Sequence, residues 1–192
     1  MKYVKMLGLL AIAAAAMMAF AATASADTVT QTETDGTTNP TPTIHAVNEG
    51  GHVTLQNPIA TISCSSTVTG TVTTHEAGKP VTGHISELLF TGCTNSWHVT
   101  TVTAGHLTFE ASNGELKSSS ARVETTRLGV KCFYETAAGG TKVGTVTGGS
   151  PATLHIEASI PLGTGSSGLC GTGNAKWEGN YVTTHPLHLD DN

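Results

Sequence analysis

The chain has 192 residues, with 9 Lys+Arg against 14 Asp+Glu and a formal charge of −5 at pH 7. That length suits one ordinary domain with a full core. The acidic balance argues against nucleic acid or an anionic membrane as a partner, since both repel a net anion.

At the start, Lys2 and Lys5 precede an apolar run from Leu7 to Ala22, and Ala24-Ser25-Ala26 stands before the polar Asp27. A basic start, an apolar stretch and a small-x-small site make up an export signal. Residues 1–26 are therefore expected to be a signal peptide, and its removal leaves 7 basic against 14 acidic side chains. An uncleaved N-terminal anchor is the alternative. No later apolar run approaches the roughly 18–20 residues needed to span a bilayer. The chain thus reads as secreted and extracellular, with no membrane span after signal cleavage.

From Asp27 to Pro42 the sequence is rich in Thr, with Val29 as its single aliphatic residue of size. Such a stretch buries too little surface to offset its ordering entropy, and 27–42 is expected to be a flexible leader. Asn39-Pro40-Thr41 is no glycosylation sequon, because proline occupies the middle position.

From Thr43 the pattern changes to short alternating segments. Thr67-Val68-Thr69-Gly70-Thr71-Val72-Thr73 sets valines among threonines, and Ile85, Leu88 and Phe90 continue the theme. So do Leu107 with Phe109, Cys132 with Tyr134, Val143 with Val146, and Leu154 with Ile156. These runs are β-branched or aromatic, four to eight residues long, and bounded by Gly, Asn, Pro or Ser. No 3.6-residue apolar period is sustained. Residues 43–192 are expected to form a single all-β domain, an antiparallel β-sandwich or jelly roll.

Cys64, Cys93, Cys132 and Cys170 are expected to pair in an oxidising compartment. Four cysteines allow three connectivities, which sequence does not choose between. Pairing in chain order, Cys64 with Cys93 and Cys132 with Cys170, closes loops of a few strands each and is favoured. Their spacing fits neither a C-x-x-C redox motif nor a zinc knuckle.

The run Cys64-Ser65-Ser66-Thr67-Val68-Thr69-Gly70-Thr71-Val72, followed by Leu88-Leu89-Phe90-Thr91-Gly92-Cys93-Thr94, resembles a group of uncharacterised exported proteins of actinobacteria. Val130-Lys131-Cys132-Phe133-Tyr134 and the ending Trp177-Glu178-Gly179-Asn180-Tyr181 are similar too. The resemblance covers most of residues 50–190. It implies a secreted β-rich domain and carries no activity or catalytic residue with it.

Chemistry-bearing clusters are few. His185 and His188 stand close to Asp190, a donor set suited to zinc or copper. A spacing of three puts the two imidazoles on opposite faces of a strand, however, and Pro186 prevents helical stacking. Gly163-Thr164-Gly165-Ser166-Ser167-Gly168 lacks the spacing of a nucleophile elbow and reads as a turn. Trp97 and Trp177 are the candidate ligand-binding residues, because aromatic faces on β-domains stack on sugars or apolar ligands. The alternative places both rings in the core.

Together these features describe a secreted, non-enzymatic β-sandwich that binds an extracellular ligand or surface and implies no cofactor. One alternative is a carbohydrate- or envelope-binding module using Trp97 or Trp177. Another is an extracellular hydrolase built on the dispersed glutamates. A third is a small-molecule carrier, similar in composition and disulfide count to actinobacterial chromophore-binding sandwiches, which requires an apolar cavity between its sheets.

Overall fold

A computed structural model describes residues 28–32, 38–74, 79–110 and 112–190. The expected signal peptide, residues 1–26, lies outside them. Among the described residues the chain is almost entirely strand. In order these are β1 (Thr28–Thr32), β2 (Thr38–Asn39), β3 (Thr43–Asn48), β4 (Val53–Asn57), β5 (Ala60–Thr74) and β6 (Val81–Thr91). There follow β7 (His98–Thr103), β8 (His106–Glu110), β9 (Glu115–Ser119), β10 (Arg122–Arg127) and β11 (Val130–Glu135). The last are β12 (Thr141–Thr147), β13 (Thr153–Ile160), β14 (Ala175–Thr183) and β15 (Leu187–Asp190). No helix among the described residues is long and apolar enough to cross a membrane.

Alternation explains why these segments are strands. In β13, Leu154, Ile156, Ala158 and Ile160 are buried, while Thr153, His155, Glu157 and Ser159 are exposed. Successive side chains of a strand point to opposite faces, so a period of two builds one apolar face and one wet face.

That apolar face curls into a tube. The main sheet runs β13-β12-β9-β8-β6-β5-β3-β14, and β14 pairs back onto β13 from Thr153↔Val182 to Ile160↔Ala175. Eight antiparallel strands therefore close into a barrel. The expected sandwich or jelly roll is corrected here. A two-residue period reports one buried face but cannot say whether that face packs on a second sheet or on itself. Closure rests on the pairing of β14 with β3, more than 130 residues apart in sequence and invisible to any local pattern.

The wall continues beyond this ring. β4 extends β3 between β5 and β14: Val47 faces Thr67 and Val53 faces Cys64, so six residues on one stave meet three on its neighbour. The surplus is taken up at Gly50 and Gly51, with φ of 73° and 98°, values that glycine reaches without strain. Likewise β7 extends β8, β10 extends β9, and β11 extends β12. The sheet β11-β10-β7 is thus the upper half of the same wall. It joins β6 through Thr101 Oγ1, which donates to Leu88 O at 2.6 Å. It joins the end of β13 through Gly163 N–H, which donates to Phe133 O at 2.7 Å. Each stave neighbours the next in chain order, the arrangement of an up-and-down barrel.

Both disulfides follow chain order. Cys64–Cys93 ties β5 to the turn after β6, and Cys132–Cys170 ties β11 to the short turn before β14, with Cα–Cα distances of 4.1 and 5.6 Å. They close loops of 29 and 38 residues, worth about 3–4 kcal/mol each by chain entropy.

A third small sheet, β15-β1-β2, lies apart from the wall. Val29 pairs with Leu189 and Gln31 with Leu187, and Val29 and Leu187 are only 4% and 3% exposed. The segment expected as a flexible leader, 27–42, therefore supplies two strands. The burial of Val29 comes from its partners at the far end of the chain, which its own composition does not reveal.

Candidate ligand cavity

The inward positions of the barrel do not fill its lower end. Val72 and Val81 of β5 and β6 face Phe109, Leu116, Val146 and Leu154 around an apolar chamber of about 90 Å³. Val29, Leu187 and Leu189 of the small sheet border the same chamber, so β1 and β15 act as a strap across that end. The strap is fastened by Leu187 and Gly149, which exchange backbone hydrogen bonds of 3.0 and 2.9 Å.

The backbone itself keeps this space open. Gly70 and Gly83 line the chamber and contribute no side chain. A Cβ at Gly70 would lie 2.9 Å from the His84 carbonyl oxygen, and one at Gly83 would lie 3.1 Å from Thr71 O. Larger residues would have to displace neighbouring backbone. Glycine inside a strand often marks such a close approach, and the β5–β6 register shifts between Thr69 and Gly70.

A second chamber of about 40 Å³ lies further along the lumen and shares Val68, Ile85, Leu107, Leu116 and Leu154 with the first. Trp177, Tyr181 and Ser118 also border it, yet its wall is almost wholly apolar. The Tyr181 hydroxyl donates to Ser66 Oγ at 2.9 Å, and Ser66 N–H donates to Asn48 Oδ1 at 2.7 Å. Burial pushes the Tyr181 hydroxyl up to about 12, with Ser66 and Trp177 offsetting part of the rise. Trp177 Nε1 is buried and has no hydrogen-bond partner. The indole N–H nonetheless acts on the Tyr181 hydroxyl and lowers its pKa.

Three more polar atoms, Asn57 Nδ2, Thr125 Oγ1 and Tyr134 Oη, are buried without a partner. Their residues lie on β4, β10 and β11, strands of the upper half of the wall. Burial raises the Tyr134 hydroxyl above its ordinary pKa, and the nearby Asn57 amide opposes this slightly.

The two tryptophans singled out from sequence part company. Trp97 is 6% exposed and lies under the Arg127 guanidinium, 5.9 Å from the ring centre, so it offers no open face. Trp177 meets Phe90 edge-on at 6.1 Å and takes part in the lumen. His185 sits in the turn before β15, its carbonyl accepting from Thr183 Oγ1, and His188 pairs with Thr30 in the strap. No group of three or more His, Cys, Asp or Glu able to hold a metal occurs among the described residues.

Among the described residues no glutamate is buried. Lys117 bridges Glu110 and Glu115 at 3.1 and 2.9 Å, and Lys142 adds a second contact to Glu115 at 2.9 Å. These lysines hold the Glu115 carboxyl below the usual range, the opposite of what a general acid needs. Glu124 is held down in the same way by Thr126 and Lys131.

In the sequence the residues that build the cavity read only as alternating strand positions. The signal lay in the glycines: Gly70 and Gly83 interrupt otherwise β-branched strands. No family model, no curated protein and no solved structure matches the chain.

Proposed function

We propose that this chain is an exported binding protein that takes up a small apolar molecule in the lumen of its barrel. The observation that carries this reading is the apolar chamber bounded by Val72, Phe109, Leu116, Val146 and the strap residue Leu187. An enclosed apolar space of about 150 Å³ stays dry and takes up benzene or xenon. The end chamber of about 90 Å³, adjoining one of about 40 Å³, approaches that size. Ligand sites are concave and mostly apolar, as this lumen is. The two disulfides suit an oxidising compartment, in keeping with the export signal.

Thermal unfolding with and without benzene tests the proposal. A ligand that binds the folded state alone stabilises it by RT ln(1 + [L]/Kd), about 2.7 kcal/mol at a hundredfold excess over Kd. The midpoint should rise with benzene concentration and saturate. A midpoint that stays flat or falls across the soluble range overturns the lumen as a ligand site.

A further inference from the structure

We propose that the upper end of the barrel is a docking tip that seats on a lipid bilayer, with Leu128, Leu169 and Ile59 dipping into its surface. The proposal does not depend on the lumen. Four turns crown this end, at 58–59 after β4, 92–97 after β6, 128–129 after β10 and 161–174 after β13. On them Leu128 is 93% exposed, Leu169 69% and Ile59 45%. Of the large apolar side chains exposed among the described residues, only Leu89 and Val102 lie elsewhere. The turns hold one another in place. Ser167 N–H donates to Lys131 O at 2.9 Å, and Cys170 is bonded to Cys132. Gly171 lies so close to Pro58 that a Cβ there would come within 2.9 Å of the proline ring.

Leu128 carries the argument furthest. With Gly129 it makes the two-residue turn between the paired Arg127 and Val130, at φ of 49° and 81°. Positive φ at both positions is the turn that favours asparagine followed by glycine, and a bulky side chain there is strained. Leucine accepts that strain and buries almost nothing in return, and strain without a structural gain points to function. The occupant follows from charge and shape. None of the four turns contains Asp or Glu, in a chain with 14 of them. The exposed Arg127 beside Leu128 lies over the Trp97 ring at 5.9 Å, a cation placed to meet lipid phosphates. Three side chains on separate tips cover far less than the roughly 800 Å² per partner of a stable protein interface. Such tips suit a fluid apolar layer, which closes around each of them.

The probe is phosphatidylcholine vesicles, whose zwitterionic surface does not repel an acidic chain. The three tips carry less hydrocarbon than one myristoyl chain, which binds with a constant of about 10⁴ M⁻¹, so docking is reversible and is read by flotation at high lipid concentration. Leu128→Asn should lower the partition coefficient about tenfold, the effect of one leucine no longer buried in hydrocarbon. The same variant puts asparagine before Gly129, the pair this turn prefers, and should melt no lower than the native chain. Leu169→Ser should also bind less, whereas Val102→Thr, on β7, should bind as the native chain does. In phosphatidylcholine bicelles doped with a spin-labelled phospholipid, the methyls of Ile59, Leu128 and Leu169 should broaden first while those of Leu89 and Val102 stay sharp. The proposal is overturned by a native chain that does not float, by an undiminished partition coefficient or a lower melting midpoint for Leu128→Asn, or by broadening at Leu89 and Val102 in place of the tips. A native dimer that Leu128→Asn dissociates also overturns it and assigns the tip to a second copy of the chain.

Discussion

Replacing Val72 and Val146 by isoleucine adds one methylene to each of two side chains that border the end chamber. Both positions are buried, at 8% and 9% exposure, and both lie in strands, where isoleucine is favoured. A chamber of about 90 Å³ forgoes about 2 kcal/mol at 24 cal/mol per Å³, which sets the ceiling on what filling can recover. Each added methylene removed from water contributes about 0.8 kcal/mol, so the double variant should gain about 1.5 kcal/mol. For a domain of this length that is a rise of about 3–6 °C in Tm. Urea unfolding and calorimetry read the gain directly, and the benzene-induced rise should shrink in the same variant. The native sequence would then hold an under-filled core in exchange for a site, a familiar exchange of stability for function. Loss of about 1–3 kcal/mol, as in an overfilled core, with benzene stabilisation unchanged, would refute this reasoning.

Three further outcomes follow from the same structure. Replacing Cys132 and Cys170 together by alanine should lower stability by about 3–4 kcal/mol in urea unfolding, because the bridge closes a 38-residue loop; an unchanged midpoint would deny it a stabilising role. The Tyr181 hydroxyl is raised to about 12 in the fold, against about 10 when unfolded. Its contribution is therefore complete below pH 10 and declines as pH rises from 10 to 12, by about 2–3 kcal/mol in all. The native chain should show this excess decline over Tyr181→Phe, and parallel profiles would contradict it. Export is checked by N-terminal sequencing of protein recovered from the medium, which should begin at Asp27; a start at Met1 would contradict cleavage.

Much of the wall could be read from residue type. Leu154, Ile156, Ala158 and Ile160 alternate with polar neighbours, and that two-residue rhythm specifies strand whatever the sheet curls into. Chain-order pairing of the cysteines is the favoured of three options, since it closes a loop of a few strands each time. Barrel closure was not legible, because the contact of Tyr181 with Asn48 depends on the curvature of the whole sheet. Nor was the strap. Val29 looks isolated in a threonine-rich stretch until Leu187 and Leu189 arrive from the other end of the chain. Trp177 is in phase with the buried Ala175, Tyr181 and Thr183 of β14, so the two-residue rhythm of that strand points it inward.

The lumen as a binding site is tested most directly by methyl NMR of the native chain titrated with benzene. The account predicts saturable shifts at Val72, Leu107, Leu116, Val146, Leu154 and Leu187, which surround the end chamber. Leu89, Val102 and Leu128, exposed outside it, should stay still. Shifts confined to those outer residues, or none at any methyl up to the solubility of benzene, would contradict it.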